Sequence, residues 1–266
     1  MLREYIMEKI ESILEIVASK GIPLKLIKSL LFTVSLLSLL FIPLAADARK
    51  SCFDLEGDRS KEALEKALEL CSAQAIQGDA DAQFLLGVLY AKLWGNFDKA
   101  VYWYSLAAKQ GHDNAQYNLA QYYRIGTKIP KDYKKAINWY TKAAEQGHGE
   151  AQFNFAYMIY HGMGAPKDYK KAFYWMTKAA KNTSVTNVNA TSNMNADAQL
   201  FLGLMYADGR GIIKDNIMGY AWLNVAAAQG NDQARKARDF VEKEMTSTQL
   251  EKAQVLSKLY FNKHVK

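Results

Sequence analysis

The stretch Ala136–Gly162, AINWYTKAAEQGHGEAQFNFAYMIYHG, runs from one apolar series through a glycine turn into a second. The same pattern recurs along the chain. Tryptophans stand at Trp103, Trp139, Trp175 and Trp222, spaced by 36, 36 and 47 residues. Each is followed four and five residues later by an alanine pair: Ala107-Ala108, Ala143-Ala144, Ala179-Ala180 and Ala226-Ala227. Three of the four reach a glycine eight residues on, at Gly111, Gly147 and Gly230. An Ala-Gln pair precedes each tryptophan, at Ala82-Gln83, Ala115-Gln116, Ala151-Gln152 and Ala198-Gln199. A fixed period of this length marks a stack of supersecondary units, none of which buries its apolar face alone. Such arrays usually present binding surfaces, which weighs against an enzyme.

Within the second unit, Ala115, Leu119, Ala120 and Tyr123 share one helical face, and Ala136, Trp139, Tyr140, Ala143 and Ala144 share another. Gly126 suits the left-handed residue that ends a helix. Pro130 falls in the connection, where its missing donor does no harm. The unit reads as a helical hairpin, helix A then helix B. Five residues after each first alanine stand Gly87, Ala120, Ala156 and Gly203. These small residues let backbones approach while Trp and Tyr of helix B fill the space beside them, as close packing requires. The tryptophans are expected to be core wedges.

The run Ala-Gln-aromatic-x-Leu-Gly-x-x-Tyr, then Gly-x-Gly, Lys-Asp, Lys-Ala and Trp-Tyr-x-Lys-Ala-Ala-x-Gln-Gly, resembles the Sel-one-like repeat family, a cousin of the tetratricopeptide repeats with a slightly longer unit. Residues 79–230 carry it in four copies, at about 79–112, 113–148, 149–194 and 195–230. Asp132, Asp168 and Asp215 match the loop aspartate, and Lys135-Ala136 and Lys171-Ala172 match the Lys-Ala step. Three departures stand out. The first copy lacks three residues near Leu93–Phe97, the third has Ile159 where the others have Tyr90, Tyr123 and Tyr206, and Thr183 replaces a glycine. The resemblance implies an all-α fold: a right-handed α-solenoid of stacked antiparallel helix pairs, four full repeats plus capping helices. It also implies a bacterial, exported protein that binds other proteins in envelope assembly, complex regulation or host contact.

A terminal repeat would expose its apolar side, so caps are expected. Upstream, residues 60–77 read as a lone B-type helix within a segment 49–78. Downstream, residues 231–266 hold a lone A-type helix over 232–244, and Thr248 with Glu251 suggests a capping box opening a last helix. Residues 182–195 form an Asn/Thr/Ser-rich insert that cannot bury a core, and they include two formal glycosylation sequons, at Asn182 and Asn189.

Leu30–Ala46 is apolar apart from Thr33, Ser35 and Ser38, follows Lys20, Lys25 and Lys28, and leads into Ala46-Asp47-Ala48. That is the layout of a signal peptide within residues 1–48, giving a periplasmic or secreted chain. An uncleaved anchor is the alternative, and membrane contact is expected only through that segment. Residues 1–48 carry five basic and five acidic groups, so the whole charge of +7 stays with the chain from Arg49. Lys128, Lys131, Lys134, Lys135, Lys167, Lys170 and Lys171 gather near the A–B loops, either as a solvated edge or as a rim favouring acidic partners. No nucleic-acid module accompanies them. Cys52 and Cys71 are the only cysteines, and an even count in an exported chain suggests a disulfide between them.

Catalytic signals are absent from the sequence. His112 and His148 follow glycines at equivalent turns, and His161 ends a helix where a cation suits the dipole. There is no metal-ligand spacing, Ser-x-x-Lys, nucleophile elbow or phosphate loop, and no cofactor is expected. The expectation is a scaffold whose A helices line the concave face. Positions three, six and seven after the first alanine give Asn118, Gln121 and Tyr122, then Asn154, Tyr157 and Met158. Amides beside aromatic and Met side chains suit a peptide or a partner helix. Two other readings stay open: an enzyme acting on envelope material, and a membrane-tethered assembly factor.

Overall fold

The computed structural model describes residues 61–126, 129–182 and 194–265. The proposed leader, Cys52, Lys128 and most of the 182–195 insert lie outside the described residues. The chain divides into two units, Met1–Gln74 and Ala75–Lys266. In the first, the described residues belong to helix α1, Lys61–Ile76, where Cys71 is buried and disulfide-bonded.

The second unit is a helical solenoid, with no strand among the described residues. Its first repeat pairs α2 (Ala80–Lys92) with α3 (Phe97–Lys109), and its second pairs α4 (Asp113–Ile125) with α5 (Tyr133–Glu145). The third pairs α6 (Gly149–His161) with α7 (Tyr169–Lys181), and the fourth α8 (Met194–Asp208) with α9 (Asn216–Ala228). From α3 to α9 each helix packs on the one before it, and α9 is covered by both α10 (Asp232–Glu242) and α11 (Ser247–His264).

Short polar residues start these helices by satisfying amides that have no intrahelical partner. Asp132, Asp168 and Asp215 each accept from the third amide of their B helix, at 2.9, 2.9 and 3.0 Å, so the loop aspartates are caps. His112 and His148 do the same for α4 and α6 through Nδ1, which accepts from Ala115 N and Ala151 N at 3.2 and 3.3 Å. The last helix corrects an expectation. Its capping box is Thr246–Gln249, one pattern match upstream of Thr248–Glu251, with Gln249 Oε1 accepting from Thr246 N at 2.9 Å.

The core is organised by the residue after each tryptophan. Tyr104, Tyr140, Met176 and Leu223 are all buried. Gly87 lies so close to Tyr104 that a Cβ there would sit 2.5 Å from the ring, and one on Gly203 would sit 2.7 Å from Leu223 Cγ. Large side chains therefore meet small ones across each hairpin. The tryptophans fit the wedge expectation only in the last two repeats. Trp175 and Trp222 are buried, but Trp103 and Trp139 are half-buried. One step around the helix from the core position, the indole is sealed only if another element covers it. Tyr260 of α11 stacks on Trp222 at 4.6 Å, whereas Trp139 carries Lys142 over its ring at 4.5 Å.

Candidate interaction face

The A helices are held in register by glutamines. Gln83, Gln116, Gln152 and Gln199 are all buried. Each donates Nε2 to a carbonyl at the end of the preceding B helix: Ala75, Ala108, Ala144 and Ala180, at 3.0, 3.1, 3.2 and 3.3 Å. The amide oxygen is met from the other side by the residue closing the following B helix. Gln110 donates to Gln83 and Gln146 to Gln116, both at 2.8 Å, and Gln229 donates to Gln199. One side chain thus joins three consecutive helices and satisfies a carbonyl the helix end leaves open. In the sequence the Ala-Gln pair served only to mark the period. Its recurrence carried a further signal, since a polar residue repeated at a core position needs repeated partners.

At the third repeat the closing residue is Asn182. Its shorter arm reaches Gln152 at 3.5 Å and donates to the Gly147 carbonyl at 2.9 Å. Asn195, on the far side of the insert, donates to the Asn182 carbonyl at 2.8 Å.

On the A-helix face of the second repeat, Gln121 is a hub. It donates to Tyr117 Oη at 2.7 Å and accepts from Tyr140 Oη at 2.8 Å and Arg124 Nη2 at 2.9 Å. Burial raises the Tyr117 phenol to about 12 and pushes Tyr140 up as well, so both phenols stay protonated. Asn118, Gln121 and Tyr122 are half-buried, and the Tyr122 ring lies 6.0 Å from Tyr104 and 6.1 Å from Phe97.

The third repeat differs. Asn154 and Met158 are buried, so these two members of the expected set act as packing. Asn154 donates to the Glu150 carbonyl at 2.9 Å and contacts Met194 Sδ at 3.9 Å, because α8 closes over α6 there. Tyr157 stays half-buried, its ring 5.5 Å from Phe201 and 4.3 Å from His161. The structure thus keeps Asn118, Gln121, Tyr122 and Tyr157 at least partly accessible.

His161 stands in the last turn of α6, where the sequence placed it, but partial desolvation, then Lys167 and Arg210, lower its pKa and disfavour the cationic form. Among the described residues no three His, Cys, Asp or Glu side chains come together as a metal site. An open cleft of about 680 Å³ lies at the A–B loop of the third repeat, lined by Lys167, Lys170, Lys171 and Gly211 among others. Several rim lysines lie over rings: Lys131 over Tyr133 at 5.5 Å, Lys135 over Tyr123 at 5.2 Å and Lys171 over Phe155 at 5.2 Å. Their stems cover apolar surface while the ammonium stays in water. No described helix is long and apolar enough to cross a membrane.

No curated protein matches the chain. Among solved structures, a Sel1 repeat protein from Oxalobacter formigenes is 30% identical over 76% of this chain and 83% of that one, with a TM-score of 0.56. A protective antigen of uropathogenic Escherichia coli displaying an SLR fold is 29% identical over 82% of this chain, with a TM-score of 0.49; this chain spans 52% of that one. The family described as Sel1 repeat matches residues 80–112, 113–148, 149–184 and 196–231, the same units that carry the tryptophans, glutamine clamps and aspartate caps. On that match and that likeness, the chain belongs to the Sel1 repeat family.

Proposed function

We propose that this protein is an exported interaction scaffold of the cell envelope or extracellular space, binding a peptide or protein partner on its A-helix face. Sel1 repeat proteins generally bind proteins. The observation carrying the specific reading is the A-helix face of the second and third repeats. There Asn118, Gln121, Tyr122 and Tyr157 stay half-buried, although the same helices bury Ala115, Gln116, Leu119, Ala151, Gln152 and Phe155 completely or nearly so. Partly exposed aromatic side chains beside amides are the composition of binding hot spots. Export rests on the leader pattern of residues 1–48, and a Cys52–Cys71 disulfide would suit that compartment.

The test is capture of a partner from the native envelope or culture fluid by the mature chain. Tyr122→Ala with Tyr157→Ala is expected to weaken capture at least about tenfold, since hot-spot truncations exceed ~1.4 kcal/mol, while the fold is retained. Undiminished capture by this folded variant moves the site off the A-helix face. Mass spectrometry of the native N-terminus should find Arg49 first; a retained Leu30–Ala46 removes the cleaved-export part.

A further inference from the structure

One corner of the A-helix face narrows the partner's chemistry. Phe153, Tyr157, Tyr160 and His161 follow one another at helical spacing on α6, and Phe201 of α8 meets three of them. Its ring lies 5.8 Å from Phe153, 5.5 Å from Tyr157 and 6.5 Å from Tyr160, each time edge to face. His161 is exposed and closes the group at 5.0 Å from Tyr160. These rings form a continuous apolar floor across two repeats.

Cations stand around this floor. Arg210, from the loop after α8, donates Nη1 to Tyr160 Oη at 2.6 Å and lies over the Tyr160 and Tyr169 rings at 5.6 and 5.9 Å. Lys167 is exposed on the loop after α6. Arg210 thus sits over the Tyr160 edge of the floor, and the Lys167 side chain lies against Gly162, next to His161, close enough that a Cβ there would be 2.9 Å from Lys167 Cγ. The opposing carboxylates are few. Asp208 lies 3.4 Å from Arg210 Nε, and Asp168 has Oδ1 engaged in capping α7. Lys170 and Lys171 continue the positive surface into the adjoining cleft.

We propose that the surface formed by Tyr157, His161, Phe201, Lys167 and Arg210 docks an acidic segment of a protein partner. Its carboxylates would meet Lys167 and Arg210 while an apolar side chain lies on Tyr157 and Phe201. The charge complementarity selects Asp- and Glu-bearing sequences, and the ring floor selects an aromatic or aliphatic residue between them. This rests on the protein-binding reading above and assigns it a partner class.

Selection from a random peptide library against the full chain tests the assignment. Enriched peptides are expected to carry acidic residues flanking an aromatic or aliphatic one. A synthetic representative should lose about tenfold in affinity to the Lys167→Gln, Arg210→Gln double variant, both positions being exposed. Lys134→Gln, on the rim of the second repeat, should leave affinity unchanged. Binding should weaken as salt shortens the Debye length to about 3 Å, and the His161 imidazole resonance should titrate at higher pH in the complex as ligand carboxylates offset the two cations. Peptides without acidic enrichment, no selected sequence at all, or acidic peptides indifferent to the double variant overturn the proposal. So does variant-sensitive capture of phosphatidylglycerol vesicles in preference to peptides, which assigns the surface to a membrane. Peptides weakened by Tyr122→Ala but not by the double variant sink this inference alone. The native-partner capture decides the wider reading separately.

Discussion

The first two repeats and the last two share a motif but use it differently. In the first pair, the indoles of Trp103 and Trp139 are half-buried. In the second pair, Trp175 and Trp222 are buried. The A helices follow the same gradient: α4 buries Ala115, Gln116, Leu119 and Ala120, whereas α6 adds an asparagine, a methionine and an isoleucine to that set. Loops differ as well. Gly164 and Gly211 press against the backbone of Tyr133 and Tyr169 at the starts of the preceding B helices, so the loops of repeats three and four stack on those before them. A repeat's burial is thus decided by what covers it. The motif supplies candidates for the core, and neighbours decide which enter it.

Tryptophan truncation should break or establish this gradient most sharply. Trp222→Ala is expected to cost about 3–5 kcal/mol, as for a fully buried aromatic. Trp139→Ala should cost less, roughly 1–2 kcal/mol, because part of its indole surface already meets water. Since each repeat touches only its neighbours, hydrogen exchange should localise each loss to the mutated repeat and those flanking it. Equal costs at the two sites would remove the gradient.

Glycine replacement in the loops sharpens the same comparison at lower amplitude. Gly147 has φ +95° with nothing within 4 Å of where a methyl group would stand, so Gly147→Ala carries backbone strain alone, about 1–2 kcal/mol. At Gly211, φ is +79° and a Cβ would lie 2.1 Å from the Tyr169 carbonyl oxygen. Gly211→Ala should therefore add an overpacking cost of about 1–3 kcal/mol to a similar strain. Chemical denaturation of the two variants measures the difference. If Gly211→Ala is no worse than Gly147→Ala, the loops of the last two repeats are not in close contact.

The period made the helix pairs, their order and both C-terminal helices legible, because one supersecondary unit repeated four times leaves little freedom in topology. What escaped was mostly a matter of phase and partner. A helix position gives a direction around the axis, so Trp139 and Tyr140 both read as core; only the packing shows that Tyr140 takes it. Asn154 and Met158 occupy the same repeat positions as Asn118 and Tyr122, yet α8 closes over them. Thr246-x-x-Gln249 and Thr248-x-x-Glu251 both satisfy the capping-box spacing, and local pattern cannot choose between them. The aromatic cluster around Phe201 joins residues 40 or more positions apart and includes an arginine outside any repeated position, so no spacing rule announces it. The glutamine clamp was legible in principle, since a buried amide recurring in every unit demands donors and acceptors that recur with it.

The smallest expected effect lies at the joint between the two halves. His148 caps α6 through Nδ1, which accepts from Ala151 N, and stacks on Tyr117 at 4.6 Å. That bond needs an unprotonated Nδ1. Burial lowers the pKa of His148, against the raising influence of Asp113. The folded pKa therefore lies below the unfolded value of about 6.5, and below that pH the unfolded chain binds the additional proton. Stability supplied by neutral His148 is complete above about pH 6.5 and is lost as pH falls toward the lowered folded value. An asparagine at this position would cap without titrating, as Asn231 does for α10 at 2.9 Å. His148→Asn should thus be slightly less stable than the parent at neutral pH, through the lost ring stack, and should lose less on acidification. His161 and His264 also titrate with lowered values, so the parent's acid sensitivity should shrink in the variant without vanishing. Urea unfolding of both proteins about one unit above and one unit below pH 6.5 measures the difference. An unchanged pH dependence would mean that the ring is protonated or solvated in the native protein, and that the joint between the second and third repeats is looser than its buried histidine indicates.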